Sequence, residues 1–344
     1  MSTPTLKKYG TYAARDSGAP SDSRDYTTLV LLHGSGWHSA IFEKLFPLVD
    51  TLNVRLVAAN RPDYPGATPL SEQERMQLNN ISETANQDSD SAANALLDYI
   101  KENTKKLCDF LAEFILREDV PVEGGIVVAG WSVGAADVLG LLANADAVSS
   151  KEVDLRSYIK HLVIYDAPSC ILGYAPPTGL CAPLFDPSLT PGEILKVFPL
   201  WVSTYYARGE DLTHPEGKAL DHPPPTILSM DPSDVQQCLE VNPVLPGGAD
   251  ERLISLGVKL NVFSRLKDGA MYLDKGHPQG GSSWDDIEIK YVWCDQAAWE
   301  MPWGVACLQA DLDNAKKAGK VTRKVDMCHW DQPQLALTGL LSGL

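Results

Sequence analysis

Long apolar runs are absent from the 344 residues, so no membrane-spanning helix is expected. Cations are scarce: 29 Lys and Arg stand against 45 Asp and Glu, giving a formal charge of −16 and a sequence pI near 4.8. Phosphate backbones and anionic membrane surfaces are held by clustered Lys and Arg, so neither nucleic acid nor a membrane is expected as a partner. Paired cysteines are missing too. The seven (Cys108, Cys170, Cys181, Cys238, Cys294, Cys307 and Cys328) are odd in number, scattered and without a C-x-x-C pair. That excludes a disulfide framework and a zinc site and fits a reducing cytosol. Behind Lys7 and Lys8 there is no apolar stretch, so no secretory signal is expected. The seven histidines are dispersed, and His214 and His222 lack the i, i+4 spacing of helical metal ligands. No metal or organic cofactor is implied. There is no internal repeat and no low-complexity segment.

What is present is enough apolar material, 44% of residues, for a large buried core. Short apolar runs that read as buried strands recur: "DYTTLVLLHGSGW", "NVRLVAANRPDYPG", "GGIVVAGWS" and "SYIKHLVIYDAPS". Helical patterns alternate with them. "AIFEKLFPLVDTL" has helical spacing, and "DSDSAANALLDYIKENTKKLCDFLAEFIL" starts at good N-cap residues and carries apolar positions three and four apart. Strand alternating with helix predicts an α/β fold with a mainly parallel sheet covered on both faces. After residue 170 the chain turns proline-rich and helical, and strand character returns at "DDIEIKYVWCDQ" and "KVTRKVDMCHW". The economical division is a core of residues 1–169 and 286–344, with residues 170–285 inserted as a mainly helical lid over the strand ends.

The stretch "AGWSVGAADVLGLLAN", residues 129–144, places Ser132 in G-x-S-x-G between an apolar strand and a small-residue helix. A serine at such a strand-to-helix turn presents Oγ near the amides of the helix that follows, while Gly130 and Gly134 keep side chains away from neighbouring backbone. On four pieces, "LVLLHGSGW", "AANRPDYPGATP", "GWSVG" and "CHWDQP", the chain resembles the α/β-hydrolase superfamily, in its serine-nucleophile branch with a cap domain. The wording of these loops is also similar to that of uncharacterised fungal hydrolase-like proteins.

The resemblance implies an α/β-hydrolase fold and acyl chemistry at Ser132. Aspartate at that position would have pointed to dehalogenases and epoxide hydrolases. It implies an oxyanion hole from the backbone N–H groups of Val133 and Ser35, with His33 bracing the loop. His329, the last histidine, follows in the expected order as base. Relatives commonly place that histidine seven positions before a proline; here the proline is Pro333 and Asp326 stands at that place. In relatives the acid-bearing strand ends Gly-x-x-Asp; here Cys294 and Ala297 occupy those two positions, and Asn60 replaces a usual aspartate. Asp295 is the first candidate acid and Asp166, at the end of the preceding strand, the second. The acid's role would be to orient the imidazole.

The leading expectation is therefore hydrolysis of a carboxylic ester or lactone through an acyl-Ser132 intermediate. The two loop departures keep a second class open: a lyase, cyclase or acyltransferase on the same fold, or a ligand-binding pseudoenzyme. In that case His38 could serve as an alternative acid or base, although a surface position is the plainer reading for it. Cys328 and Cys294 lie on no elbow and read as packing residues. Trp201, Tyr205 and Tyr206, read on one lid helix, join Trp37, Trp131 and Trp299 as material for an apolar pocket. They suggest a hydrophobic or aromatic substrate of moderate size. Oligomeric state is not encoded in any of these features.

Overall fold

Strands of aliphatic residues with little polar interruption are stable where both faces are covered, and the middle of the sheet is built from such strands. A computed structural model describes residues 4–21, 23–145, 152–209, 211–273 and 284–330. Its eight strands are β1 (Lys7–Tyr9), β2 (Tyr12–Asp16), β3 (Thr27–Leu32), β4 (Val54–Asn60), β5 (Ile126–Trp131), β6 (Ile159–Tyr165), β7 (Ile289–Cys294) and β8 (Val325–Trp330). They form one sheet in the order β1-β2-β4-β3-β5-β6-β7-β8. From β4 to β8 every pairing is parallel, while β2 pairs antiparallel with β4 and β1 antiparallel with β2. The two N-terminal strands were not expected. They turn at Gly10, whose φ of 55° suits a residue without Cβ.

The helices are α1 (Glu72–Thr84), α2 (Ser89–Glu118), α3 (Ala135–Ala143), α4 (Leu155–Tyr158), α5 (Pro191–Ser203), α6 (Pro232–Cys238), α7 (Ala249–Lys259), α8 (Val262–Met271) and α9 (Glu300–Lys317). The expected long helix is α2: Asp88 caps it by accepting from the Ser91 N–H, and Leu96, Leu107, Phe110, Leu111 and Phe114 form its buried stripe. Each such side chain contributes about 1.5–3 kcal/mol by leaving water. One face of the sheet packs with α2, α3 and α8 in a single apolar cluster. The other packs with the 3₁₀ segment Ser39–Leu48 and with parts of the insertion.

Helices α5 to α8 all lie between β6 and β7, as expected for an insertion at that point. The aromatic helix of that insertion is shorter than its sequence suggests. α5 ends at Ser203, because the Ser203 hydroxyl donates to the Pro199 carbonyl and the Thr204 hydroxyl to the Leu200 carbonyl, drawing the last turn closed. Tyr205 and Tyr206 therefore leave the helix that carries Trp201, and Tyr206 forms a β-bridge with Ala219. No helix among the described residues is long and apolar enough to cross a membrane.

Candidate active site

Ser132 follows the last residue of β5 with φ of 55°, in the left-handed region that a residue with Cβ occupies only when its surroundings enforce it. The enforcement is steric. A Cβ on Gly130 would stand 2.2 Å from the Gly134 carbonyl oxygen, and one on Gly134 would stand 2.6 Å from the Leu32 oxygen. Only glycine at both places lets β5, the turn and α3 approach β3 this closely. The loop after β3 is pressed onto the serine itself: a Cβ on Gly34 would lie 2.9 Å from Ser132 Cβ and 3.2 Å from its Oγ. The G-x-S-x-G segment and the "HGSG" loop thus meet at Ser132, with Val133 buried next to it.

The "HGSG" loop is held by partners from two directions. His33 is fully buried; its Nδ1 lies 2.7 Å from the Gly34 carbonyl, and its Nε2 accepts from the Arg61 N–H at 3.2 Å. Burial, reinforced by the Arg61 charge, pushes its pKa well down, so it braces the loop as a neutral ring. Asn60 is buried as well: its Oδ1 accepts from the Ser39 N–H at 2.7 Å and its Nδ2 donates to the Pro65 carbonyl at 2.7 Å. The amide can serve both as donor and acceptor, which an ionised aspartate could not.

The second support was not expected from the sequence. Asp250, at the start of α7 in the insertion, is 3% exposed and accepts from two core side chains besides Ser35 of the loop itself. Arg61 reaches its two oxygens at 3.0 and 2.8 Å, Tyr64 donates at 2.6 Å, and the Ser35 hydroxyl donates at 2.8 Å. Tyr64 also receives the Gly36 N–H at 2.9 Å. Burial alone would lower the Arg61 pKa, yet Asp250, Tyr64 and Asp137 raise it, so the guanidinium stays charged. Asp137, whose Oδ2 is 4.0 Å from Arg61 Nε, is pushed up to about 6 by burial. This clasp ties the insertion to the loop that faces Ser132.

The expected base and first acid come together elsewhere. His329 Nε2 lies 3.6 Å from Asp295 Oδ2, and Arg208 Nη1 lies 3.4 Å from the same ring nitrogen and 3.8 Å from the same carboxylate oxygen. The imidazole stacks on Trp293, ring centroids 4.4 Å apart. His329 is inside β8, opposite Trp293, where a position in the loop beyond the strand was expected. Trp131 pairs with Tyr165, Tyr165 with Val292 and Val292 with Cys328, so Ser132 and His329 follow residues on one row of the sheet, three strand spacings apart. At about 4.8 Å per spacing their backbones are ~14 Å apart. That is beyond the combined reach of a serine and an imidazole. The rest of the "CHWDQP" segment, from residue 331 and including Pro333, lies outside the described residues.

Asp166 is one strand from the elbow, fully buried, with φ of 43°. Its Oδ1 accepts from the Cys294 N–H at 2.9 Å, while Oδ2 has no partner among the described residues. Burial pushes its pKa up to about 7, against the opposing pull of that N–H.

The remaining residues singled out divide between cavity and packing. Trp37, Ser35 and Gly36 line an apolar cavity of about 290 Å³ whose other walls come from the insertion, among them Ile194, Phe198 and Ile254. Trp131 is buried against Phe42 and shares a much smaller void with Trp37. Trp201 packs on Phe198 and Tyr206, and the Tyr205 hydroxyl is 2.7 Å from that of Thr226. None of Trp131, Trp201 and Tyr205 borders the 290 Å³ cavity. His38 is not at the surface. It is 5% exposed, and its Nδ1 accepts from the Ala40 N–H, capping the 3₁₀ segment that follows; burial lowers its pKa to about 4.

The parallel sheet, the serine in a strained turn and the glycine loop against it belong to a known group of proteins. Residues 29–330 match the model of the Alpha/beta hydrolase family, and the chain belongs to that family. No curated protein sequence matches it. Solved structures similar to it include an esterase from Exiguobacterium antarcticum (11% identity, TM-score 0.48, 99% of this chain and 97% of that one). Others are an esterase from a Rhodococcus species (15%, 0.47, 100% and 97%) and an epoxide hydrolase from Vigna radiata (12%, 0.46, 98% and 94%).

Proposed function

We propose that this protein hydrolyses a carboxylic ester or lactone with a hydrophobic acyl or alcohol part, through an acyl intermediate on Ser132. The observation that carries the reading is the strained Ser132 with the Gly34 loop packed on its side chain. Holding a serine at positive φ costs roughly 1–3 kcal/mol, which a merely structural turn would avoid with glycine. In this reading Ser132 Oγ loses its proton to His329 and attacks the carbonyl carbon. The backbone N–H groups of Val133 and Ser35 hold the oxyanion, and His329 returns the proton to the leaving alcohol. Water then attacks the acyl-serine by the same route. Asp295, closest of the two acids to His329, orients the ring. The end of β8 has to carry His329 toward the elbow for this to operate, since the sheet spacing separates the two. The 290 Å³ cavity beside Ser35 and Trp37 supports an apolar substrate.

That same separation favours a second reading, in which Ser132 is not activated and the fold serves a lyase, cyclase, acyl-transfer or ligand-binding role. A fluorophosphonate probe followed by peptide mapping decides between them. The hydrolase reading expects one rapid adduct on Ser132, with labelling slowed at least 10²-fold in His329→Ala and ester turnover lost in Ser132→Ala. An unlabelled Ser132 in folded protein establishes the second reading.

A further inference from the structure

A second cavity, about 430 Å³, opens on the other side of Phe185, which lines both it and the cavity near Ser35. Its walls come from the segment after β6 (Ser169–Pro176), from Cys181 and Ala182, from α7 and the amide-bearing Asn261 just beyond it, and from the start of α9. Three aromatic side chains, Tyr174, Phe185 and Trp299, contribute to it. One carboxylate, Glu300, is set among them at the first position of α9.

Glu300 is 6% exposed and has no hydrogen bond or ion pair among the described residues. A buried carboxylate without a partner loses its hydration for nothing, and burial alone pushes this one up to about 7. The groups that face it do not relieve it. Cys170 and Cys181 are thiols whose pKa burial pushes up, with the Glu300 charge adding to the shift, so they stay neutral. The Tyr174 hydroxyl already donates to Asp311 at 2.7 Å. Lys267, which reaches the Tyr174 hydroxyl, is committed to Asp311 and Asp268 at 2.7 and 3.0 Å. No Lys, Arg or His lines the cavity. In an apolar space with aromatic faces and one unmatched acid, the missing component is a positive charge on an apolar body. Ring faces attract such a charge, and the carboxylate pairs with it.

We propose that the Glu300 cavity is a binding site for a small organic ammonium compound, an amine carried on an aromatic or branched apolar body. The site is independent of Ser132 chemistry and does not rest on the hydrolase reading. Occupation fixes Glu300 in its charged form, so binding near and below neutral pH expels the proton that Glu300 holds.

The test is calorimetric titration of the full chain with benzylammonium and, separately, benzyl alcohol, in buffers of different ionisation enthalpy. The expected result is at least tenfold tighter binding of benzylammonium than of the alcohol. Proton release should approach one per ligand at pH 6 and vanish at pH 8.5, since benzylammonium itself stays protonated across that range. Glu300→Gln should abolish both the preference and the proton release. Val258→Trp, which fills the cavity from α7, should abolish binding with Glu300 intact. Ser132→Ala should bind as the natural chain does, which keeps this result separate from the fate of the hydrolase reading. Equal affinity for the two ligands, binding by neither, or a preference that survives Glu300→Gln overturns the proposal.

Discussion

Strands β3, β4 and β5 consist almost wholly of buried residues, whereas β8 has only half-buried and exposed positions. The candidate nucleophile stands at the end of the first group and the candidate base stands in the second. Around Ser132 every degree of freedom is spoken for: glycines on both sides, the Gly34 loop in contact, and behind that loop His33, Arg61, Tyr64 and Asp250. Around His329 the partners include a stacking ring, a carboxylate at 3.6 Å and a half-exposed arginine. Preorganisation is most useful where charge develops in a reaction, which in the proposed hydrolysis is the oxyanion side. An edge strand with exposed partners is the side that can move at low cost. The contrast teaches that the two halves of the candidate site have different stiffness, and each can be altered separately.

The largest effect should come from breaking the stiff half. Asp250→Ala leaves Arg61 buried without its carboxylate and removes the acceptor of Tyr64 and Ser35. Losing one partner of a buried ion pair costs about 3–5 kcal/mol, measurable as a lowered urea midpoint. The double replacement Arg61→Leu with Asp250→Leu removes both charges and should recover a good part of that loss. A stability change under about 1 kcal/mol in the single variant would show that the clasp contributes little and that the comparison of the two halves is mistaken.

The stiff half was also the half written most plainly in the sequence, though only in its local parts. G-x-S-x-G encodes a steric requirement over five neighbouring residues, and those residues carry it in the structure. The Asp250 clasp joins residues 189 positions apart, and an aspartate at the start of a lid helix carries no local mark of a distant arginine. The same limit explains His38. A histidine between Trp37 and Ser39 reads as a surface residue, but its burial depends on Cys238, whose carbonyl accepts the His38 N–H at 3.0 Å from far along the chain. Tyr205 and Tyr206 extended an apolar helical rhythm that the side-chain hydrogen bonds of Ser203 and Thr204 end. The β1–β2 hairpin was too short to show as a pattern, although Gly10 between two tyrosine-bearing pieces was its available signal.

A smaller effect should follow from Asp166, which lies between the halves. Its pKa is raised from the ordinary aspartate value to about 7 by burial. An acid whose folded pKa is raised binds more protons folded than unfolded, so its contribution to stability is retained at low pH and declines from about pH 4 to pH 7. Asp166→Asn should therefore lose less stability than the natural chain between pH 5 and pH 8, by about 2–3 kcal/mol in urea unfolding, a value set by a shift of this size. Identical slopes in the two proteins would mean that Asp166 is ionised and matched in the folded state, and would move it toward the role of acid partner.

The smallest expected effect is in the wall of the apolar cavity. Ile194 on α5 faces the same space as Ser35 and Trp37, and Ile194→Trp would occupy part of its 290 Å³. The variant changes nothing in the Asp250 clasp or the elbow, so it acts on substrate size alone. For esters with long acyl chains, kcat/KM should fall about 5- to 10-fold, near 1 kcal/mol, while acetyl esters are unaffected. A parallel fall for both chain lengths would place the substrate elsewhere and leave Trp37 a packing residue. A fall confined to long chains would connect the cavity to the stiff half of the site, where the loop bearing Ser35 is shared by the cavity wall and the surroundings of Ser132.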